Sequence, residues 1–121
     1  MGKFNSFEEI NSWQRARLLN KKIYLITTDT DAFRKDFDLA RQIRRCSVSI
    51  SSNIAEGFER NTDKEFIHFL YIAKGSAAEV RSQLYLALDL NYISQQTFDE
   101  LYAEVTEISR LLGGFIKYLN K

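Results

Sequence analysis

The chain has 121 residues, 45 % of them hydrophobic and 13 % aromatic, with no proline and a formal net charge of +1. Its size and apolar content suit one domain over residues 1–121. A near-neutral total points to neither a nucleic-acid nor a membrane partner, no apolar run approaches the roughly 18 residues of a membrane span, and the lone Cys46 excludes an intrachain disulfide.

The charge is uneven. Residues 1–60 carry 11 basic and 8 acidic groups, net +3, and residues 61–121 carry 6 and 8, net −2. A basic surface must therefore come mainly from the first half. The opening Met1-Gly2-Lys3-Phe4-Asn5-Ser6 lacks the apolar core of a signal peptide, which predicts a cytoplasmic protein. It also fits the loose myristoylation pattern, although Ser6 reads better as a helix cap.

Ser6-Phe7-Glu8-Glu9 has the form of a capping box, so the first helix is expected to start near Ser6. Ile10, Trp13, Ala16, Leu19, Ile23 and Ile26 follow at steps of three and four, and Thr27 to Asp31 should end it. The second helix is expected to begin between Asp31 and Asp38 and to run to Phe58, with Leu39, Ile43, Cys46, Ile50 and Ile54 as its stripe. Thr62-Asp63-Lys64-Glu65 is a second capping box. The third helix carries Phe66, Leu70, Ala73, Ala77, Val80, Leu84 and Ala87 in a coiled-coil-like seam and should stop near Leu90, with Asn91 as its cap. A fourth follows Ser94, with Phe98, Leu101, Val105, Ile108, Leu112, Phe115 and Leu119; Gly113-Gly114 should loosen its last turns. Short connections between long helices predict an all-α, up-down-up-down antiparallel four-helix bundle.

Ser47, Ser49, Ser51, Ser52 and Asn53 sit inside the second helix, where such residues are unfavourable. Ala73, Gly75, Ser76, Ala77 and Ala78 form a small patch on the third. Together they predict close packing between these two helices, with a functional site as the alternative reading, since local rules tend to fail at such sites. Arg45, Ser49, Asn53, Glu56 and Arg60 form a polar stripe, read either as a solvated face or as a subunit interface. Glu79 lies one residue off the third seam, and Arg44 or Arg45 is its expected partner.

Glu56 and Glu79 are the carboxylates available for acid–base work, but no nucleophile is spaced with them, so no catalytic residue is assigned. Glu65-Phe66-Ile67-His68 has the Glu-x-x-His form of di-iron bundles, but a second copy is missing and the chain has one histidine, so no metal site and no cofactor is assigned. The basic inventory is Arg15, Arg17, Lys21 and Lys22 on the first helix and Arg41, Arg44 and Arg45 on the second. These are the candidate nucleic-acid contacts.

Two stretches carry a family resemblance. One is Gln42-Ile43-Arg44-Arg45-Cys46-Ser47-Val48-Ser49-Ile50-Ser51-Ser52-Asn53-Ile54-Ala55-Glu56-Gly57-Phe58; the other is Glu65-Phe66-Ile67-His68-Phe69-Leu70-Tyr71-Ile72-Ala73-Lys74-Gly75-Ser76-Ala77-Ala78-Glu79. Together they closely resemble the bacterial four-helix-bundle family encoded in intervening sequences of 23S ribosomal RNA genes, also labelled S23 ribosomal protein-like. The accessory proteins of diversity-generating retroelements are similar to it. The resemblance implies a cyclic homopentamer, no catalysis and, by way of the retroelement proteins, nucleic-acid binding. It marks Arg44, Arg45, Ser49, Asn53, Glu56, Gly57, Glu65, Ser76 and Glu79 as motif positions. The family often has proline where this chain has Ser51, and the retroelement proteins are strongly basic where this chain is nearly neutral.

The expected function is that of a non-enzymatic oligomeric module, with itself and RNA or DNA as partners and no membrane. The alternative is a scaffold or accessory subunit with a protein client. Apolar residues beyond the seams, among them Phe69, Ile72, Leu86, Tyr102 and Ile116, are the sequence motive for self-association.

Overall fold

A computed structural model describes residues 4–120. The first three residues of the myristoylation pattern lie outside them. The described residues form a 3-10 turn over Phe7–Glu9 and five α-helices: α1 (Asn11–Asp29), α2 (Asp31–Lys35), α3 (Phe37–Phe58), α4 (Asp63–Asp89) and α5 (Gln95–Leu119). Four of these are long, and together they make an all-α helical bundle. α1 packs on α3 and α5, and α4 packs on α3 and α5.

Helix starts follow local hydrogen bonding. Thr62 Oγ1 accepts from the Glu65 amide at 3.1 Å and donates to the Glu65 carboxylate at 3.3 Å. Ser94 Oγ accepts from the Thr97 amide at 3.1 Å. These satisfy amides that have no carbonyl partner within the helix. Ser6 behaves differently. Its side chain makes no capping bond, Glu9 instead accepts from the Asn5 amide at 3.0 Å, and the 3-10 turn intervenes before α1. The first helix thus starts at Asn11, four residues later than the capping box suggests.

The second predicted helix is split at Asp36. Its ψ of 82° breaks the helical path, and its carboxylate accepts from the Leu39 amide at 3.1 Å to begin α3. The other carboxylate oxygen accepts from Tyr92 Oη at 2.9 Å, tying this kink to the connection between α4 and α5. Asn91 has φ 61°, the left-handed conformation asparagine tolerates, and Tyr92 N donates to Ala87 O at 2.9 Å while Asn91 N donates to Leu88 O at 2.9 Å. That pair of bonds is a Schellman closure of α4. α5, by contrast, continues through Gly113 and Gly114 to Leu119. Leu112 and Ile116 on either side are buried, and their packing outweighs the weak helical preference of two glycines.

The predicted seams of α3 and α4 are buried throughout. In α5 the seam holds as far as Leu112, after which Ile116 is buried and Phe115 and Leu119 are half-buried. Among the apolar residues assigned outside the seams, Ile116 thus belongs to the core. Phe69 and Tyr102 are half-buried, while Ile72 and Leu86 are exposed.

The contact order reverses along neighbouring helices. Thr27 meets Arg44, whereas Asn20 meets Ser47 and Ser51. Gln83 meets Cys46, whereas Phe66 and Phe69 lie against Gly57. Tyr85 meets Phe98, whereas Phe66 meets Phe115.

The small residues of α3 serve both neighbours. Ser49 Oγ lies 2.9 Å from Ser76 Oγ on α4, as close packing of the two helices predicts. Ser47 and Ser51 turn the other way. Ser47 donates to Asn20 Oδ1 at 2.7 Å, and Asn20 Nδ2 donates to Ser51 Oγ at 3.0 Å, so these serines face α1. Gly57 marks a close approach of α3 to α4. A Cβ there would stand 2.7 Å from Phe69 Cβ and 2.9 Å from Phe66 Cδ1.

Candidate functional site

The α1–α3 pairing leaves a groove of about 440 Å³ near the end of α1. Its sides follow from helical periodicity. On α3, Phe37, Arg41 and Arg45 recur at steps of four along the outer flank, and Arg44, three residues after Arg41, is turned toward α1. On α1, Tyr24 and Thr27 face them, and Arg34 of α2 closes one end.

Arg44 is fixed in place. Its guanidinium lies over the Tyr24 ring at 4.7 Å, with Nε donating to Thr27 Oγ1 at 2.7 Å and Nη2 to Thr28 Oγ1 at 2.9 Å. Thr27 Oγ1 also donates back to α1, lying 2.8 Å from Ile23 O. A planar guanidinium held on an aromatic face is oriented before any ligand arrives. Arg34 is partly neutralised by Asp31 at 2.6 Å. Arg41 and Arg45 are exposed and form no ion pair with any described residue. The groove lining holds four arginines and no carboxylate, although Asp31 pairs with Arg34 at its edge and the whole chain is nearly neutral.

The other basic candidates fall elsewhere. Lys22 pairs with Glu104 of α5 at 2.7 Å. Arg15 also turns toward α5; with Arg110 as the dominant cause, it helps to hold the Glu107 carboxyl below its ordinary value. Both lie on the flank of α1 away from the groove. Arg17 and Lys21 line a separate hollow of about 570 Å³ with Trp13 and Leu18, and Arg17 stands 5.9 Å from the Trp13 ring centroid. The seven predicted cations are therefore not one face. The groove gathers Arg41, Arg44 and Arg45 and adds Arg34, Tyr24 and Phe37, which the sequence analysis missed. An available signal was Phe37, an aromatic residue four positions before Arg41 and outside the α3 core stripe.

Most of the motif positions make contacts within the chain. Asn53 Nδ2 donates back to Ser49 O at 2.8 Å and lies 3.0 Å from Ser49 Oγ. Glu65 completes the α4 cap. Glu56 pairs with Arg60 at 2.7 Å, and Arg60 lies over the Phe69 ring at 4.7 Å. This pair is exposed, so its contribution to stability is small. Glu79 forms no ion pair with Arg44 or Arg45 within the chain. Arg44 is turned to α1, Arg45 lies on the outer flank of α3, and Glu79 is near the Cys46 thiol instead. Burial first, and the Glu79 carboxylate second, push that thiol above its ordinary value. A thiol in that state is a poor nucleophile. His68 is exposed beside Phe69, and among the described residues no three His, Cys, Asp or Glu side chains gather as metal ligands. No helix among the described residues is long and apolar enough to cross a membrane.

Fold and groove define a helical-bundle protein with a basic, aromatic-flanked surface groove. Residues 8–114 match the family described as 23S rRNA-intervening sequence protein, and the chain belongs to that family. It is also similar to a crystal structure from Bacteroides thetaiotaomicron, described as a protein with unknown function from the S23 ribosomal protein family. The identity is 28 %, the TM-score 0.80, and the match covers 88 % of this chain and 98 % of that one. No curated protein matches. Neither family description names an enzymatic activity.

Proposed function

We propose that this protein is a non-enzymatic, oligomeric, cytoplasmic module that binds RNA or DNA through the arginine groove between α1 and α3. The carrying observation is the convergence of Arg34, Arg41, Arg44 and Arg45 on one groove that no carboxylate lines. Arginine holds phosphate oxygens through paired N–H donors, and Arg44 is already oriented for such contact. Phosphate contacts carry no base sequence information, so binding is sequence-independent. Arg17 and Lys21 extend the basic flank along α1, whereas Arg15 and Lys22 contribute little.

The bundle reads as a single up-down-up-down antiparallel domain, supported by the reversed contact order between neighbouring helices. Self-association uses the outer face of α4, where Tyr71 is 57 %, Ile72 39 % and Leu86 47 % exposed beside Gly75 and Ala78. Exposed apolar groups of this kind mark interaction surfaces. A closed ring, with five subunits by family resemblance, repeats the groove and joins weak contacts into one binding event.

Fluorescence anisotropy with a labelled RNA at low salt tests the ligand. Binding should weaken steeply with salt, with a log–log slope of roughly −2 or steeper for three contacts to a single strand. The Arg41→Glu/Arg45→Glu variant should lose it. Absence of binding in the parent protein would move the assignment to a scaffold with a protein client. Light scattering tests assembly, and a stable monomer at micromolar concentration would refute the ring.

A further inference from the structure

We infer that the groove takes an unpaired nucleotide, with its base against Phe37 and its phosphates on Arg41, Arg44 and Arg45, so the protein prefers single strands to duplexes. This rests on the nucleic-acid reading above and goes beyond it by naming the form of the ligand.

Phe37 is the central observation. It is 73 % exposed, more than any other large hydrophobic residue described. It opens α3, where Asp36 fixes the first turn by accepting from the Leu39 amide at 3.1 Å. The ring therefore stands on an ordered helix rather than a loose loop. Arg41 follows it by four residues and Arg44 by seven, so ring and cations share one flank.

The opposite side of the groove is already committed. Tyr24 is 45 % exposed and carries the Arg44 guanidinium at 4.7 Å, whereas Phe37, at 73 %, is the more open ring and has no such contact. Arg44 uses Nε and Nη2 on threonine hydroxyls, so Nη1 keeps its donors for a phosphate. A cationic groove beside an aromatic face is the chemistry that binds single strands, because bases of any sequence stack and phosphates follow the cations. At about 440 Å³ the groove is of small-ligand size. A paired base has both faces covered by its neighbours in the stack. Away from its ends, a duplex therefore reaches the arginines but offers nothing to Phe37. Phosphate and base face are common to RNA and DNA, so the preference concerns strandedness rather than the sugar.

The test compares an unstructured RNA 12-mer, the DNA strand of the same sequence, and each annealed to its complement, by anisotropy at one low salt concentration. The parent protein should bind both single strands more tightly than either duplex. Phe37→Ala should weaken single-strand binding by roughly 5- to 150-fold, the range for losing one stacked base, and leave duplex binding unchanged. Phe37→Trp should retain the preference. Because Phe37 is exposed, both variants should melt like the parent. Equal affinity of the parent for single strands and duplexes overturns the inference. So does an equal loss on both, or no loss on either, with Phe37→Ala; in these cases nucleic-acid binding itself stands. If the parent binds none of the four probes, the nucleic-acid reading falls and this inference with it. A change of oligomeric state in Phe37→Ala would assign the ring to a subunit contact and overturn the stacking role.

Discussion

The two flanks of α3 are built from similar residues for different ends. Toward α4, Gly57 and the Ser49–Ser76 contact bring two helices close, with Phe66 and Phe69 filling the space a side chain would need. Toward α1, Ser47 and Ser51 share the Asn20 amide, and one turn further on Arg44 spans to Thr27 and Thr28 over Tyr24. The first flank is closed and reads as packing. The second opens into a groove whose Arg41 and Arg45 have no ion-pair partner among the described residues. One helix thus carries structure on one side and a candidate binding surface on the other, and a net charge of +1 conceals the second.

The comparison is most sharply tested at the glycines. Gly57→Val should destabilise the bundle by about 1–3 kcal/mol or more, because the added atoms meet Phe69 and Phe66 and must displace packed rings. Gly75→Ala meets nothing within 4 Å and should stabilise α4 by up to about 1 kcal/mol. Thermal or denaturant unfolding reads both. Equal effects would mean the α3–α4 contact is looser than described.

On the α1 flank, Asn20→Ala removes the acceptor for Ser47 and the donor to Ser51. A cost of about 1–3 kcal/mol is expected, smaller if water enters this half-buried site. At the exposed Glu56–Arg60 pair, Glu56→Ala should cost under about 1 kcal/mol in the same assay. Arg41→Glu should change stability by no more than about 0.5 kcal/mol, since the side chain is exposed and unpaired. A large loss there would turn the groove into a structural feature and dissolve the contrast.

The smallest effect concerns alkaline pH. The hydrogen bond to Asp36, with burial second, raises the Tyr92 hydroxyl above its ordinary value of 10.0. Its protonated form is favoured in the folded chain, so this contribution is complete below pH 10 and is lost as pH rises through the folded value. Cys46 and Tyr85 are raised as well and titrate in the same direction. Tyr92→Phe should therefore make the alkaline loss of stability shallower without abolishing it, as pH-dependent melting would show.

The sequence carried much of the bundle because apolar period and caps act locally. Thr62 caps as its capping box implies, the last helix starts after Ser94 as expected, and the buried seams of α3 and α4 follow from spacing alone. Ser6 had the same motif but not the same outcome, since Glu9 bonds Asn5 and a 3-10 turn intervenes. The break at Asp36 needs no proline; it depends on a carboxylate shared between Leu39 and the distant Tyr92. Such a contact has no local signature. Gly113 and Gly114 remain helical because tertiary packing overrides propensity.

The groove was legible only by halves. Arg41, Arg44 and Arg45 are close in sequence, but Tyr24 and Arg34 join them through the crossing of α1 with α3 and the turn of α2. Charge counting also placed Arg15 and Lys22 in the same set, whereas helix rotation sends them toward α5. For the binding account as a whole, the most direct measurement is photo-crosslinking of a 4-thiouridine-substituted RNA 12-mer to the intact protein, followed by mass-spectrometric mapping. The account predicts crosslinks concentrated on Tyr24, Phe37 and the α3 residues up to Arg45, fading as salt rises. Crosslinks confined to the exposed α4 face, or spread evenly over the surface, would contradict it.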